Sequence, residues 1–134
     1  MMTPATLTEL RDAVLSAPRV IAVGAQTKPR LSAVEAVKIS TRQLSGITEY
    51  EPSEFTFTAL AGTPVREIIA ALDAKGQYLP FDPMLVEAGS TIGGVVASGL
   101  SGPGRFRYGG VRDFILGVRF VDGTGALVKN GGRV

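Results

Sequence analysis

The sequence has no cysteine and no histidine among its 134 residues. Without these side chains the chain cannot form a disulfide or a zinc site built on cysteine or histidine. A cysteine nucleophile and a Ser-His-Asp triad are excluded for the same reason. The lack of cysteine also fits a cytoplasmic setting.

Long apolar runs and charge of one sign are scarce as well. No run approaches the roughly 18–20 residues that span a bilayer, and no basic stretch followed by an apolar run suggests a secretory signal. Lys and Arg number 14 against 12 Asp and Glu, and only Arg105 and Arg107 form a close pair. Nucleic-acid binding by the basic loop 104–112 therefore ranks last among the functions considered. A hydrophobic fraction of 45% is typical of one soluble globular domain.

Apolar periodicity predicts a mixture of helices and strands. A helix is expected in 3–18, and strands are expected at 19–23, 36–40, 47–50, 55–60, 114–121 and 126–129. The clearest helix follows Thr63-Pro64, where Thr63 suits the N-cap and proline suits the first helical position. Its predicted buried stripe is Val65, Ile68, Ile69 and Leu72.

Glycine is concentrated in one stretch, Ser90 to Gly110, which holds seven glycines. A short helix is predicted from Ile92 with Thr91 as its N-cap, and its first amides are expected to be free for an anion such as phosphate. A side chain at Gly93 or Gly94 would then fill the ligand's place and leave the fold intact. The alternative is a flexible surface loop, but the large apolar residues within the stretch favour a ligand cradle.

A second candidate cradle is the turn GAQTK, Gly24 to Lys28, which leaves a predicted strand. Such a turn offers amides, a hydroxyl and an ammonium group to a diphosphate, although an ordinary turn is the simpler interpretation. Neither the G-x-G-x-x-G fingerprint nor a Walker A motif is present. The two glycine-containing turns together predict two stretches of main chain that close around one extended ligand.

Two longer segments resemble a known family. They are YEPSEFTFTALAGTPVREIIAALDAKGQYLPFDP (50–83) and GSTIGGVVASGLSGPGRFRYGGVRDFILGVRFVDGTG (89–125). Both are similar to the PCMH-type FAD-binding domain of the vanillyl-alcohol oxidase and p-cresol methylhydroxylase superfamily, and within it to the E subunit of bacterial glycolate oxidase. The resemblance implies an α+β fold, in which a small α/β subdomain and a larger mixed-sheet subdomain hold FAD. We expect 1–134 to be one incomplete domain, with 1–61 in the first subdomain and 62–134 in the second.

The resemblance also implies the cofactor-binding residues. GAQTK falls on the family's first pyrophosphate loop, where Ala25 and Gln26 replace two of the usual three glycines. The family's Thr-Ile-Gly-Gly turn and its Tyr-Gly step supply most of the others. The complete set is Gly24, Ala25, Gln26, Thr27, Lys28, Gly89, Ser90, Thr91, Gly93, Gly94, Ser98, Gly99, Tyr108, Gly109 and Val121.

The implied function is flavin-dependent oxidation of a small 2-hydroxy acid such as glycolate. FAD would be bound non-covalently, since the chain lacks the His and Cys to which a flavin is often attached. The implied partners are a sister flavoprotein subunit and an iron–sulfur subunit, in the cytoplasm or at the inner membrane through those partners. No catalytic residue and no metal ligand is predicted. The alternative is a non-catalytic FAD-binding or assembly module.

Overall fold

The computed structural model describes residues 1–132, apart from the side chain of Ser32. Helices and strands alternate irregularly along this part of the chain, which confirms the predicted α+β class. The helices are α1 (Leu7–Leu15), α2 (Val65–Asp73), α3 (Ile92–Ser98) and α4 (Arg105–Tyr108). The strands are β1 (Val20–Val23), β2 (Val37–Ser40), β3 (Ile47–Glu51), β4 (Thr56–Ala59), β5 (Gly117–Val121) and β6 (Leu127–Gly131).

The strands pair two by two within the described residues. β1 and β2 are parallel, from Val20 opposite Val37 to Val23 opposite Ser40, and Met2 extends this pair by bonding to β2. β3 and β4 are antiparallel, with a bulge near the start of β3 and the end of β4, and β5 and β6 form an antiparallel hairpin. Because parallel strands end at the same edge, the turn after β1 lies at the carboxyl edge of the β1–β2 pair, where ligands of α/β proteins bind.

The buried core joins α2, α3, the irregular stretch between them and the 3-10 turn at Val111–Phe114. Val65, Phe81, Val95 and Val111 form one buried cluster, with Ile92 packed against it. The cluster holds the amino-terminal end of α3 close to the segment that precedes α2. It therefore positions Thr91, the residue before α3, against the rest of the molecule.

The buried face of α2 differs from the prediction at one residue. Val65 and Ile68 are 0% exposed, whereas Ile69 is 37% exposed. Residues three and four positions apart share a helix face, and Ile69 turns about 100° away from Ile68.

Thr63 is not the N-cap of α2, contrary to the prediction. It is fully buried, and its hydroxyl donates to Leu60 O at 2.7 Å instead.

Two predicted strands begin later than expected. The strand predicted at 55–60 starts at Thr56, because Phe55 has a left-handed φ of 56° and is 81% exposed. The strand predicted at 114–121 starts at Gly117, since a 3-10 turn covers Val111–Phe114. Within residues 1–132 no helix has the length and apolar character needed to cross a membrane.

The β5–β6 hairpin turns at Asp122, as predicted, and its carboxylate holds the turn. Asp122 Oδ1 accepts hydrogen bonds from Thr124 Oγ1 at 2.6 Å, Thr124 N at 2.8 Å and Ala126 N at 3.1 Å. These bonds favour the charged form, so the Thr124 hydroxyl, followed by the two amides, lowers the pKa of Asp122 below its usual value.

We expect the hairpin to lose this stabilisation in acid. Because the pKa is lower in the folded chain, the contribution is complete above the unfolded value of about 4 and disappears as the pH falls through the folded pKa. Asp122→Asn should be less stable than the parent at pH 7, and the difference should shrink below about pH 4. Urea unfolding of both proteins between pH 2 and pH 7 measures this, and a difference independent of pH would contradict it.

Candidate functional site

The two predicted cradle segments lie in contact. A Cβ atom placed on Gly24 would overlap Thr91 Oγ1 and lie 3.3 Å from Thr91 Cγ2. The turn after β1 therefore packs directly on the residue that precedes α3, although the two are distant in the sequence. Only glycine allows this close approach at position 24. The two segments are therefore neighbours in the fold, and contact of one ligand with both stays a prediction.

The amino-terminal amides of α3 are not open, contrary to the prediction. Ile92 N donates to Thr63 O at 2.9 Å, and Gly93 N donates to Ala61 O at 2.8 Å. Gly94 N donates to the N-cap hydroxyl of Thr91 at 3.2 Å. A Cβ on Gly93 would lie 2.8 Å from both the Cβ and the O atom of Ala61. This glycine therefore permits close packing within the protein, and its amide is not available to an anion.

Open amides lie instead in the turn after β1. Among residues 1–132, the backbone N–H groups of Ala25, Gln26, Thr27 and Lys28 donate to no protein acceptor. Gln26 has a left-handed φ of 55°. Successive amides in a turn that includes a left-handed residue form a concave surface that binds anions. We call residues 25–28 the amide turn.

Two lysines add positive charge to the amide turn. Lys28 Nζ donates to Thr27 Oγ1 at 3.2 Å, and Lys38 Nζ on β2 donates to Gln26 Oε1 at 3.3 Å. Both acceptors are neutral, so neither ammonium charge is cancelled by its partner. Four free amides and two such cations form a donor set that fits a diphosphate. No cluster of His, Cys, Asp or Glu that could hold a metal ion occurs in residues 1–132.

The other predicted residues next to α3 have structural partners. Ser90 is 1% exposed, and its hydroxyl donates to Met84 O at 3.0 Å. Ser98 Oγ donates to Val95 O at 3.2 Å, and Gly99 ends α3 in the left-handed conformation. Gly89 also has a positive φ, of 88°, and space is open around it. Their predicted contacts with a cofactor stay predictions.

Three predicted residues lie on other elements. Val121 pairs with Leu127 in the hairpin, and a carboxylate oxygen of Asp113 would be 2.7 Å from a Cβ on Gly109. Tyr108 packs edge-on against Tyr78 with ring centroids 6.3 Å apart. The side-chain hydrogen bond between Tyr108 and Tyr78 raises the pKa of Tyr108. The predicted cofactor contacts of Val121, Gly109 and Tyr108 also stay predictions.

Lys38 is the residue at this site that the sequence prediction omitted. The available signal was a lysine within the apolar run Ala36–Ile39 of a predicted strand. Only the parallel register shows that this lysine lies near the amide turn, because Ile21 lies opposite Lys38 and the amide turn follows β1, which ends at Val23. A prediction made from periodicity does not provide that register.

Comparisons with known proteins find related sequences along most of the chain. The FAD binding domain family matches residues 1–131. The chain is 38% identical over 131 residues to the glycolate oxidase subunit GlcE of Escherichia coli, which covers 97% of this chain and 37% of that protein. It is 29% identical over 93 residues to the glycolate oxidase subunit GlcD of Bacillus subtilis, which covers 69% of this chain and 20% of that protein. The chain thus spans little more than a third of the first relative and a fifth of the second.

Solved structures share the fold. An alkyldihydroxyacetonephosphate synthase superposes with a TM-score of 0.76 at 24% identity, covering 98% of this chain and 28% of that protein. The BBE-like 1 protein of Physcomitrella patens superposes with a TM-score of 0.78 at 21% identity, covering 96% of this chain and 29% of that protein. With the family match over nearly the whole chain, these likenesses establish the predicted PCMH-type fold, and the chain belongs to the FAD binding domain family.

Proposed function

We propose that this chain binds FAD non-covalently through the amide turn, as part of a flavin-dependent oxidoreductase that acts on a small 2-hydroxy acid such as glycolate. The observation that carries the proposal is the set of four unpaired amides at residues 25–28, flanked by Lys28 and Lys38. FAD has one strongly anionic group, its diphosphate, which is the group that this set of donors fits.

The residues of the amide turn would bind and orient the cofactor. The amides of Ala25 to Lys28 would donate to diphosphate oxygens, and the Lys28 ammonium group would balance part of their charge. The Gly24–Thr91 contact closes the turn against the segment before α3, which restricts the ligand to one side of it. When bound, FAD supplies the hydride-accepting chemistry of an oxidoreductase, and the protein supplies binding and orientation.

The substrate and the partners are inferred from the relatives. Two similar proteins are named as glycolate oxidase subunits, which supports a 2-hydroxy acid as the substrate and assembly with further subunits. A sister flavoprotein subunit and an iron–sulfur subunit are proposed as those partners on the family resemblance alone. The donors of the amide turn bind and orient a ligand but do not remove a proton from a substrate. A non-catalytic FAD-binding or assembly module is therefore kept as the second candidate.

We expect the purified chain to bind FAD more tightly than riboflavin, which lacks the diphosphate. Lys28→Met should weaken FAD binding by about tenfold, as expected for one charge-assisted contact, and leave riboflavin binding unchanged. Flavin fluorescence titrations measure both affinities, and Lys75→Met serves as the control because Lys75 is exposed beyond the end of α2.

Equal affinity for FAD and riboflavin would contradict a site built on the diphosphate. A chain that takes up no FAD would contradict the proposed function as a whole. Glycolate-dependent bleaching of the flavin absorption bands, measured with the candidate partner subunits present and absent, separates the oxidoreductase from the non-catalytic module. Bleaching in neither condition favours the module.

A further inference from the structure

The proposed diphosphate site has a second positive charge that no sequence motif identifies. Lys38 lies in the middle of β2, with β1 on one side and Met2 on the other. Ile21 of β1 lies opposite it, and Met2 N donates to Lys38 O at 2.9 Å. The backbone at the base of the side chain is therefore held between β1 and Met2. Its ammonium group nevertheless reaches the amide turn, where it donates to Gln26 Oε1 at 3.3 Å.

Gln26 occupies an unusual backbone conformation for its residue type. Its φ of 55° lies in the left-handed region, which is unfavourable for a residue other than glycine. A strained residue at a turn indicates that the surrounding structure holds it there. In this turn the side chain of Gln26 has a partner, Lys38, across the gap between the turn and β2.

The chemistry of this pair points toward an anion. An ammonium group has three hydrogen-bond donors, and the amide oxygen of Gln26 uses one of them. Because that oxygen is neutral, it restricts the ammonium group without cancelling its charge. A carboxylate in the same place would hold the lysine equally well and would remove the attraction for a ligand. Lys28 is held in the same way by the neutral hydroxyl of Thr27.

We infer that Lys38 is a second diphosphate-binding cation of the amide turn, and that Gln26 is the residue that positions it. Lys28 and Lys38 then provide two positive charges for the two negative charges of the diphosphate. The inference rests on the proposed function, since it assigns the ligand of the amide turn as a diphosphate. The inference adds Lys38, which lies on β2 outside the amide turn, and gives the side chain of Gln26 a role.

The test uses the full chain with three probes, namely FAD, riboflavin and inorganic pyrophosphate. Lys38→Met should weaken the binding of FAD and of pyrophosphate about tenfold and leave riboflavin binding unchanged. Lys38→Arg should retain most of the affinity, since it keeps the charge. The FAD affinity of Lys38→Met should also fall less steeply with NaCl than that of the parent, because one screened attraction has been removed.

Gln26→Gly tests the positioning role. It removes the acceptor and the strain together, so we expect weaker pyrophosphate binding with no loss of thermal stability. In the Gln26→Gly background, Lys38→Met should cost less affinity than in the parent, because two residues that act together are not additive. Equal costs in the two backgrounds would overturn the role of Gln26.

The outcomes separate this inference from the proposed function. If Lys38→Met binds FAD and pyrophosphate as well as Lys75→Met does, the inference is overturned while FAD binding stands. If the parent binds pyrophosphate through Lys38 but takes up no FAD, the anion site stands and the proposed function is overturned. If the parent binds neither FAD nor pyrophosphate, the inference and the proposed function are both overturned.

Discussion

Ile68→Ala is expected to destabilise the chain by about 2–5 kcal/mol, the usual cost of truncating a buried isoleucine. Ile68 is 0% exposed and lies on the buried face of α2 between Val65 and Leu72. Alanine would remove buried methyl and methylene groups and leave a cavity that close-packed neighbours fill only partly. Urea unfolding of the variant and the parent at pH 7 measures the difference.

The adjacent residue provides a matched control. Ile69 has the same side chain in the same helix but is 37% exposed, so Ile69→Ala should cost clearly less than Ile68→Ala. Alanine also has the higher helix propensity, which offsets part of the loss at an exposed position. Equal destabilisation by the two substitutions would show that the buried face of α2 is wrongly assigned.

Gly93→Ala is expected to destabilise the fold by about 1–3 kcal/mol, as overpacking does, rather than to remove the cofactor selectively. The added Cβ would lie 2.8 Å from the backbone O and the Cβ of Ala61. The same backbone O accepts the hydrogen bond from Gly93 N at 2.8 Å, so moving it away would weaken that bond. Valine at this position, with two further methyl groups, should be worse.

Gly94→Ala is the control for this substitution. Its Cβ would meet only Thr91 Oγ1, at 3.2 Å, so the N-cap hydroxyl has to move by only a few tenths of an ångström. Alanine also gains up to about 1 kcal/mol of helix propensity over glycine, so Gly94→Ala should be close to neutral. Thermal unfolding measures stability, and flavin content measured below the unfolding transition measures binding. A Gly93→Ala protein of parental stability that has lost FAD would restore the role first predicted for this glycine.

Several elements were predictable because their cause is local. Thr91 begins α3 as expected, since its hydroxyl accepts from Gly94 N in the next turn. Asp122 turns the last hairpin through bonds to residues two and four positions ahead. The buried face of α2 was predicted except at Ile69, because several apolar residues in succession do not indicate which of them faces the core.

The candidate site was predicted only in part, for a related reason. The turn Gly24 to Lys28 was identified from its residue types, and its amides do lack protein acceptors among residues 1–132. The amides of Gly93 and Gly94 were expected to be equally free, but the structure pairs Gly93 N with Ala61 O. Glycine allows close approach by a ligand and by the protein's own backbone alike. The sequence does not show which of the two is present.

The amino-acid sequence alone determined the mixed helix-and-strand class, the position of most elements, the chemistry that a chain without cysteine and histidine excludes, and the family resemblance. The tertiary structure decided which amides remain free, which glycine packs on which backbone, and that Lys38 reaches Gln26 from the neighbouring strand. The physical reason is that residue type and spacing act over a few neighbouring residues. The pairing of a donor with an acceptor distant in sequence depends on strand register and on core packing instead.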